Sequence, residues 1–143
     1  MNIKKIFNLF ACFLGAIALL VNSQLSFSQD QWTQKANFGG TARFGVVSLT
    51  IGAKGYMGTG YDGTTLYQDF WEYDQQTDAW TQKATFPGTA RFVAVGFYFA
   101  VGTKGYIGTG WNGSGATDQS DFWEYDQSTN VWTQKASFGG GQR

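Results

Sequence analysis

The 143 residues carry 10 basic and 10 acidic side chains and no histidine, for a formal charge of zero. Without a basic excess the chain lacks the patch that holds a nucleic acid or an anionic membrane; without imidazole it cannot run Ser-His-Asp or Cys-His catalysis or build a histidine metal site. Aromatics at 18% and 20 glycines, against one proline and one cysteine, point to short strands and tight turns with rings filling the space between sheets.

Residues 1–28 read as a signal peptide. Lys4 and Lys5 form a basic head, Ile6 to Val21 is an apolar run broken only by Asn8, and Ser26 and Ser28 place small residues before a cleavage point near Gln29. The run is shorter than the roughly 20 residues of a spanning helix, so no integral membrane span is expected after cleavage. Leu9-Phe10-Ala11-Cys12 looks like a lipobox, but the longer apolar stretch follows Cys12 rather than preceding it. Cleavage removes the only cysteine, leaves eight basic residues against ten acidic ones, and makes burial rather than disulfides the source of stability. The expected destination is periplasmic, cell-surface or secreted.

After residue 30 the chain repeats itself. Asp69-Phe-Trp-Glu-Tyr-Asp74 recurs as Asp121 to Asp126, and Trp-Thr-Gln-Lys-Ala occurs at 32–36, 80–84 and 132–136. The tryptophans are 48 and 52 residues apart, and Gly-Tyr-Met-Gly-Thr-Gly at 55–60 returns as Gly-Tyr-Ile-Gly-Thr-Gly at 105–110. A period near 50 marks a repeat architecture. The extra residues arise from two insertions of two, between Arg91 and Lys104 and between Gly110 and Asp121. An even insertion keeps the flanking strands facing the same way.

Four strands are expected per repeat. Phe44–Ile51 and its counterpart 92–101 are apolar on both parities, as in a strand covered on both faces. Gly-Ala-Lys-Gly and Gly-Thr-Lys-Gly then signal hairpins into Tyr56–Thr59 and Tyr106–Thr109. Loops 61–68 and 111–120 lead to Asp69–Asp74 and its copy, where Trp71 and Tyr73 share one face and Phe70 and Glu72 the other. Polar turns at 74–78 and 126–130 precede the fourth strand, which begins at Trp80 or Trp132.

A hydrophobic strand leading to glycines at Gly58-Thr-Gly60 and Gly108-Thr-Gly110, followed by Tyr73 and Trp80 or Tyr125 and Trp132 with six residues between, resembles the kelch-repeat β-propeller family. The family's adjacent glycine pair is opened here to Gly-Thr-Gly. The resemblance implies an all-β fold of two complete four-stranded antiparallel blades plus a lone N-terminal strand, an incomplete ring. Kelch repeats would fill 29–143, with blades at about 43–85 and 91–137 and a third repeat starting at 138–143. Trp32–Asn37 looks like an outer strand that would complete another blade. Missing blades or self-association would then be needed to close the ring, and the chain reads as part of a longer propeller.

Antiparallel bookkeeping puts the loops after strand two and the exits from strand four on one rim, so Arg43, Arg91, Tyr61 and Trp111 are the candidate ligand-binding residues. Arginines that recur with every repeat also suit a structural role, bonding loop carbonyls or a carboxylate. Tyr61 and Trp111 could equally shield the core or stack on a sugar. Asp69, Glu72 and Asp74 invite a paired-acid glycosidase reading, but their recurrence fits turn capping and cross-strand pairing. No catalytic residue, metal or cofactor is expected. The expectation is a non-catalytic module binding a protein or glycan. The alternative is a fragment of a galactose-oxidase-like or sialic-acid-epimerase-like kelch enzyme with its catalytic residues in other blades.

Overall fold

The computed structural model describes residues 31–100, 102–113 and 118–140. The export signal expected over 1–28 lies outside them. From Lys35 onward the described residues form one compact unit, which holds all of their strands. These are β1 (Val47–Ile51), β2 (Lys54–Gly58), β3 (Phe70–Asp74), β4 (Ala79–Gln82), β5 (Val95–Tyr98), β6 (Lys104–Gly108), β7 (Phe122–Asp126) and β8 (Val131–Lys135). They form two four-stranded antiparallel sheets, each in sequence order, β1-β2-β3-β4 and β5-β6-β7-β8. The protein is all-β, with no helix among the described residues.

Register explains which side chains meet. Leu49, Tyr56, Glu72 and Thr81 stand in one cross-strand row, and Thr50, Gly55, Tyr73 and Trp80 in the next. Neighbouring rows face opposite sides, so one side of the first sheet shows Val47, Leu49, Ile51, Tyr56 and Phe70. This side is buried against the second sheet: the Phe70 ring lies 4.9 Å from Tyr125 and 5.0 Å from Trp132. Val47, Leu49, Ile51, Tyr56, Phe70, Phe86, Ile107 and Tyr125 form the core. Full burial of such side chains stabilises by roughly 1.5–3 kcal/mol each.

Two glycines set how closely the sheets approach. A Cβ on Gly96 would run into Val47 Cγ2, and one on Gly105 would come within 2.8 Å of Leu49 Cδ1. The inner strands therefore pack backbone against side chain.

The expected first strands are shortened. Phe44 and Phe92 leave the ladder because the next residues, Gly45 and Val93, take left-handed φ of 61° and 51°. Regular pairing resumes only at Val47 and Val95. The second strands stop at Gly58 and Gly108, ahead of Thr59 (φ 55°) and Thr109 (φ 59°). Residues 32–37, expected as an outer strand, carry no strand pairing. The outer position of each sheet is already held by β4 or β8. Ala36 instead donates its N–H to Asp78 Oδ1 (3.0 Å) and accepts from Trp80 Nε1 (3.2 Å). Ala84 repeats this with Asn130 Oδ1 and Trp132 Nε1, each at 2.9 Å.

Candidate functional site

The residue before each third strand is an aspartate, and each anchors an arginine. Arg91 donates through Nε to the Thr89 carbonyl (2.8 Å), through Nη1 to the Thr109 carbonyl (2.9 Å) and Asp121 Oδ1 (2.5 Å), and through Nη2 to Asp121 Oδ2 (2.8 Å). Its side chain is fully buried, with the guanidinium 4.9 Å from the Phe86 ring centre. Arg43 repeats the arrangement with Thr41, Thr59 and Asp69, and its side chain is 2% exposed. The planar fork of arginine suits this two-point grip on a carboxylate. Trp71 and Trp123 add indole N–H bonds to the same aspartates, at 2.8 and 2.7 Å. Burial alone would raise the Asp121 carboxyl, but hydrogen bonds from Arg91 and Trp123 and the Arg91 charge together hold it below its ordinary value.

The structure thus places Arg43 and Arg91 as internal braces between the second and third strands. Each sits directly before the phenylalanine that pairs with a rim aromatic, so all four candidate residues lie at one edge. Tyr61 and Trp111 are partly exposed there, whereas the side chains of Arg43 and Arg91 are 2% and 0% exposed. Tyr61 is bridged to Phe44 by a reciprocal pair of backbone hydrogen bonds at 3.0 Å, and Trp111 is bridged to Phe92 in the same way.

These four aromatics form one cluster across two successive repeats. Phe44 lies 5.6 Å from Tyr61 and 6.1 Å from Phe92; Phe92 lies 5.6 Å from Tyr61 and 5.2 Å from Trp111. A cavity of about 430 Å³ opens among Tyr61, Thr64, Leu66, Phe92, Trp111 and Asn112. Its near wall is held by a tight turn: Asp62 Oδ1 accepts from the Thr64 and Thr65 amides at 2.8 and 2.7 Å, and Oδ2 from the Tyr67 hydroxyl at 2.7 Å. The Tyr67 bond and those amides hold the Asp62 carboxyl far below the carboxylate range. The Tyr61 hydroxyl donates to the Gly63 carbonyl (2.5 Å), which fixes the ring at the mouth.

Phe44 and Phe92 did not enter the sequence reading of the rim because they continue an apolar run that looks like strand interior. The available signal was the recurrence of Arg-Phe at 43–44 and 91–92.

The remaining acids of the third strands are paired. Glu72 accepts from the Tyr56 hydroxyl and faces Lys83 at 3.5 Å; Glu124 accepts from Tyr106 (2.9 Å) and faces Lys104 and Lys135 at 3.3 and 3.2 Å. Asp74 pairs with Lys54 and caps the Gln76 amide at 2.8 Å; Asp126 pairs with Lys104 and caps Ser128. Among the described residues no group of three or more His, Cys, Asp or Glu side chains could hold a metal ion. No helix there is long and apolar enough to cross a membrane.

No known family profile matches the chain, and no curated protein matches it in sequence. Among solved structures, the one titled "Structure of YjhT" is similar, with a TM-score of 0.64 at 19% identity. The match covers 78% of this chain and 43% of that one, so the chain spans less than half of its length. At that identity the likeness concerns the fold alone: two successive four-stranded antiparallel sheets in an arrangement compatible with propeller blades.

Proposed function

We propose that the protein is an exported, non-catalytic binding module whose two sheets are kelch-type β-propeller blades, and that it takes a glycan in the aromatic slot on its rim. The observation that carries this reading is the slot itself. Tyr61, Phe92 and Trp111 from two successive repeats surround about 430 Å³, with Thr64 and Asn112 supplying polar groups beside the rings. Aromatic faces with a few placed polar groups suit the apolar face and hydroxyl edge of a sugar. The non-catalytic part is supported by the acids of the third strands, each engaged by a lysine, arginine or tyrosine partner. The exported part rests on the pattern of residues 1–28.

The test is a glycan and peptide array probed with the full chain, followed by titration of the best glycan against Tyr61→Ala and Trp111→Ala. Each substitution should weaken binding by about tenfold or more, equivalent to ~1.4 kcal/mol, with the far-ultraviolet spectrum unchanged. Binding confined to peptides, or glycan binding indifferent to both substitutions, would overturn the assignment.

A further inference from the structure

The joint inside the unit 35–143 brings together two unlike faces. The first sheet contributes the side bearing Val47, Leu49, Tyr56 and Phe70; the second contributes the opposite side of its own repeat, with Ile107, Tyr125 and Trp132. Such a joint is heterologous, and heterologous joints can propagate.

Because each sheet has both kinds of face, one of each is left uncovered by the other sheet among the described residues. On the second sheet, Val95, Phe97, Tyr106 and Phe122 hold the register positions of Val47, Leu49, Tyr56 and Phe70. Where Val47 is 1% and Leu49 7% exposed, Val95 is 57% and Phe97 39% exposed. A cavity of about 780 Å³ opens over this side, and Phe99 beside it is exposed as well. Glu124 on that face is already neutralised by Lys104 and Lys135, so covering it strands no charge. On the first sheet, Trp71, Tyr73 and Trp80 hold the positions of Trp123, Tyr125 and Trp132. A cavity of about 620 Å³ beside this side is lined by Ser48, Thr50, Met57, Tyr73 and Trp80 and, from the second sheet, by Gly96, Phe97 and Tyr98.

We propose that a second copy of this chain docks head to tail, the Val95–Phe97–Phe122 side of one copy on the Tyr73–Trp80 side of the next. The occupant is a second copy because one molecule carries both halves of a joint whose working version is already built inside it. Exposed apolar faces of this kind mark association sites. Phe38 is no obstacle in kind: it packs edge-on against Trp71 and Trp80 at 5.7 and 5.2 Å, as Phe86 does on Trp123 and Trp132 at 6.0 and 5.3 Å within the internal joint. The new joint is not an identical repeat. Ser48 stands where Gly96 stands and Phe97 where Leu49 stands, so the inner strands of the two copies stand further apart than β1 and β5 do. The proposal is independent of the rim slot.

Two variants separate the faces. Val95→Arg disables one side and Ser48→Arg the other, both at exposed positions. In sedimentation equilibrium the full chain should show a mass that rises with concentration, and each variant alone should stay a monomer. An equimolar mixture should sediment as a pair, since each variant keeps the face that the other has lost. Phe99→Glu replaces Val95→Arg if the latter loses its near-ultraviolet aromatic spectrum. A wild-type chain that remains monomeric at all concentrations overturns the proposal. So does a mixture that fails to associate, and so does Ser48→Arg forming dimers by itself, which would show like faces meeting.

Discussion

Asp121→Ala should be among the most damaging single changes outside the apolar core. The guanidinium it leaves behind belongs to Arg91, whose side chain is 0% exposed, and it loses two charge-assisted bonds of 2.5 and 2.8 Å. Uncoupling a buried ion pair costs about 3–5 kcal/mol, because one charge remains in a poor dielectric. The Asp121 side chain is 19% exposed, and Arg91 keeps the Thr89 and Thr109 carbonyls, which argues for the low end. Trp123 Nε1 also loses its acceptor at 2.7 Å, which adds about 1 kcal/mol. The expected loss is therefore about 3–4 kcal/mol, out of a total of roughly 5–15 for a domain. Urea unfolding followed by tryptophan fluorescence measures it, and the melting temperature should fall by roughly 10–15 °C. The pair Arg91→Met with Asp121→Leu, which removes both charges, should recover much of the loss. A cost below about 1 kcal/mol for Asp121→Ala, the level of a surface pair, would refute this account of the brace.

Other expectations concern backbone, packing and pH. Val93 holds a left-handed φ of 51° where the first repeat has Gly45 at 61°; Val93→Gly relieves about 1–2 kcal/mol of strain and gives back about 0.5–1 in chain entropy. Its net gain of about 0.5–1 kcal/mol would appear as a raised urea midpoint. Gly96→Ala should cost about 1–3 kcal/mol, because its Cβ runs into Val47, and the same assay would expose any smaller effect. On the acid side the Asp121 carboxyl is depressed in the fold, so its stabilisation is present above the unfolded value of about 3.9 and is lost as pH falls through the lower folded value. Asp121→Asn should flatten that part of the acid unfolding curve. On the alkaline side burial, aided by the Glu72 and Asp126 charges, pushes the Tyr125 hydroxyl from 10.0 up to about 12. The stability it contributes is present below pH 10 and is lost between 10 and about 12, a loss that Tyr125→Phe should remove in alkaline melts.

Two sheets, four strands apiece, and the separation of Phe70 and Glu72 from Trp71 and Tyr73 were readable from the repeat, because alternation and turn residues are local signals. Val93 shows where local signals fail. A valine predicts extended backbone, and the tertiary demand of the repeat overrides it, so the strand opens at Val95 and Phe92 turns toward the rim. Arg43 and Arg91 were legible as recurring features with a carboxylate or carbonyl partner. That they lie inside and do not line the slot depends on Asp69 and Asp121, 26 and 30 residues further along. Tyr61 and Trp111 stood out by their loops, while the contact through Phe44 and Phe92 that joins them exists only once the two repeats are side by side.

The placing of the first sheet's core also bears on the order in which the polypeptide is made. Phe70 is covered by Tyr125 and Trp132, which lie 55 and 62 residues downstream. While a ribosome still holds that later portion, the earlier sheet presents its greasiest surface to whatever surrounds it. Yield in a living host should thus depend on a holding chaperone during this interval, and slowing elongation between the two repeats should lengthen the hazard without altering the finished protein.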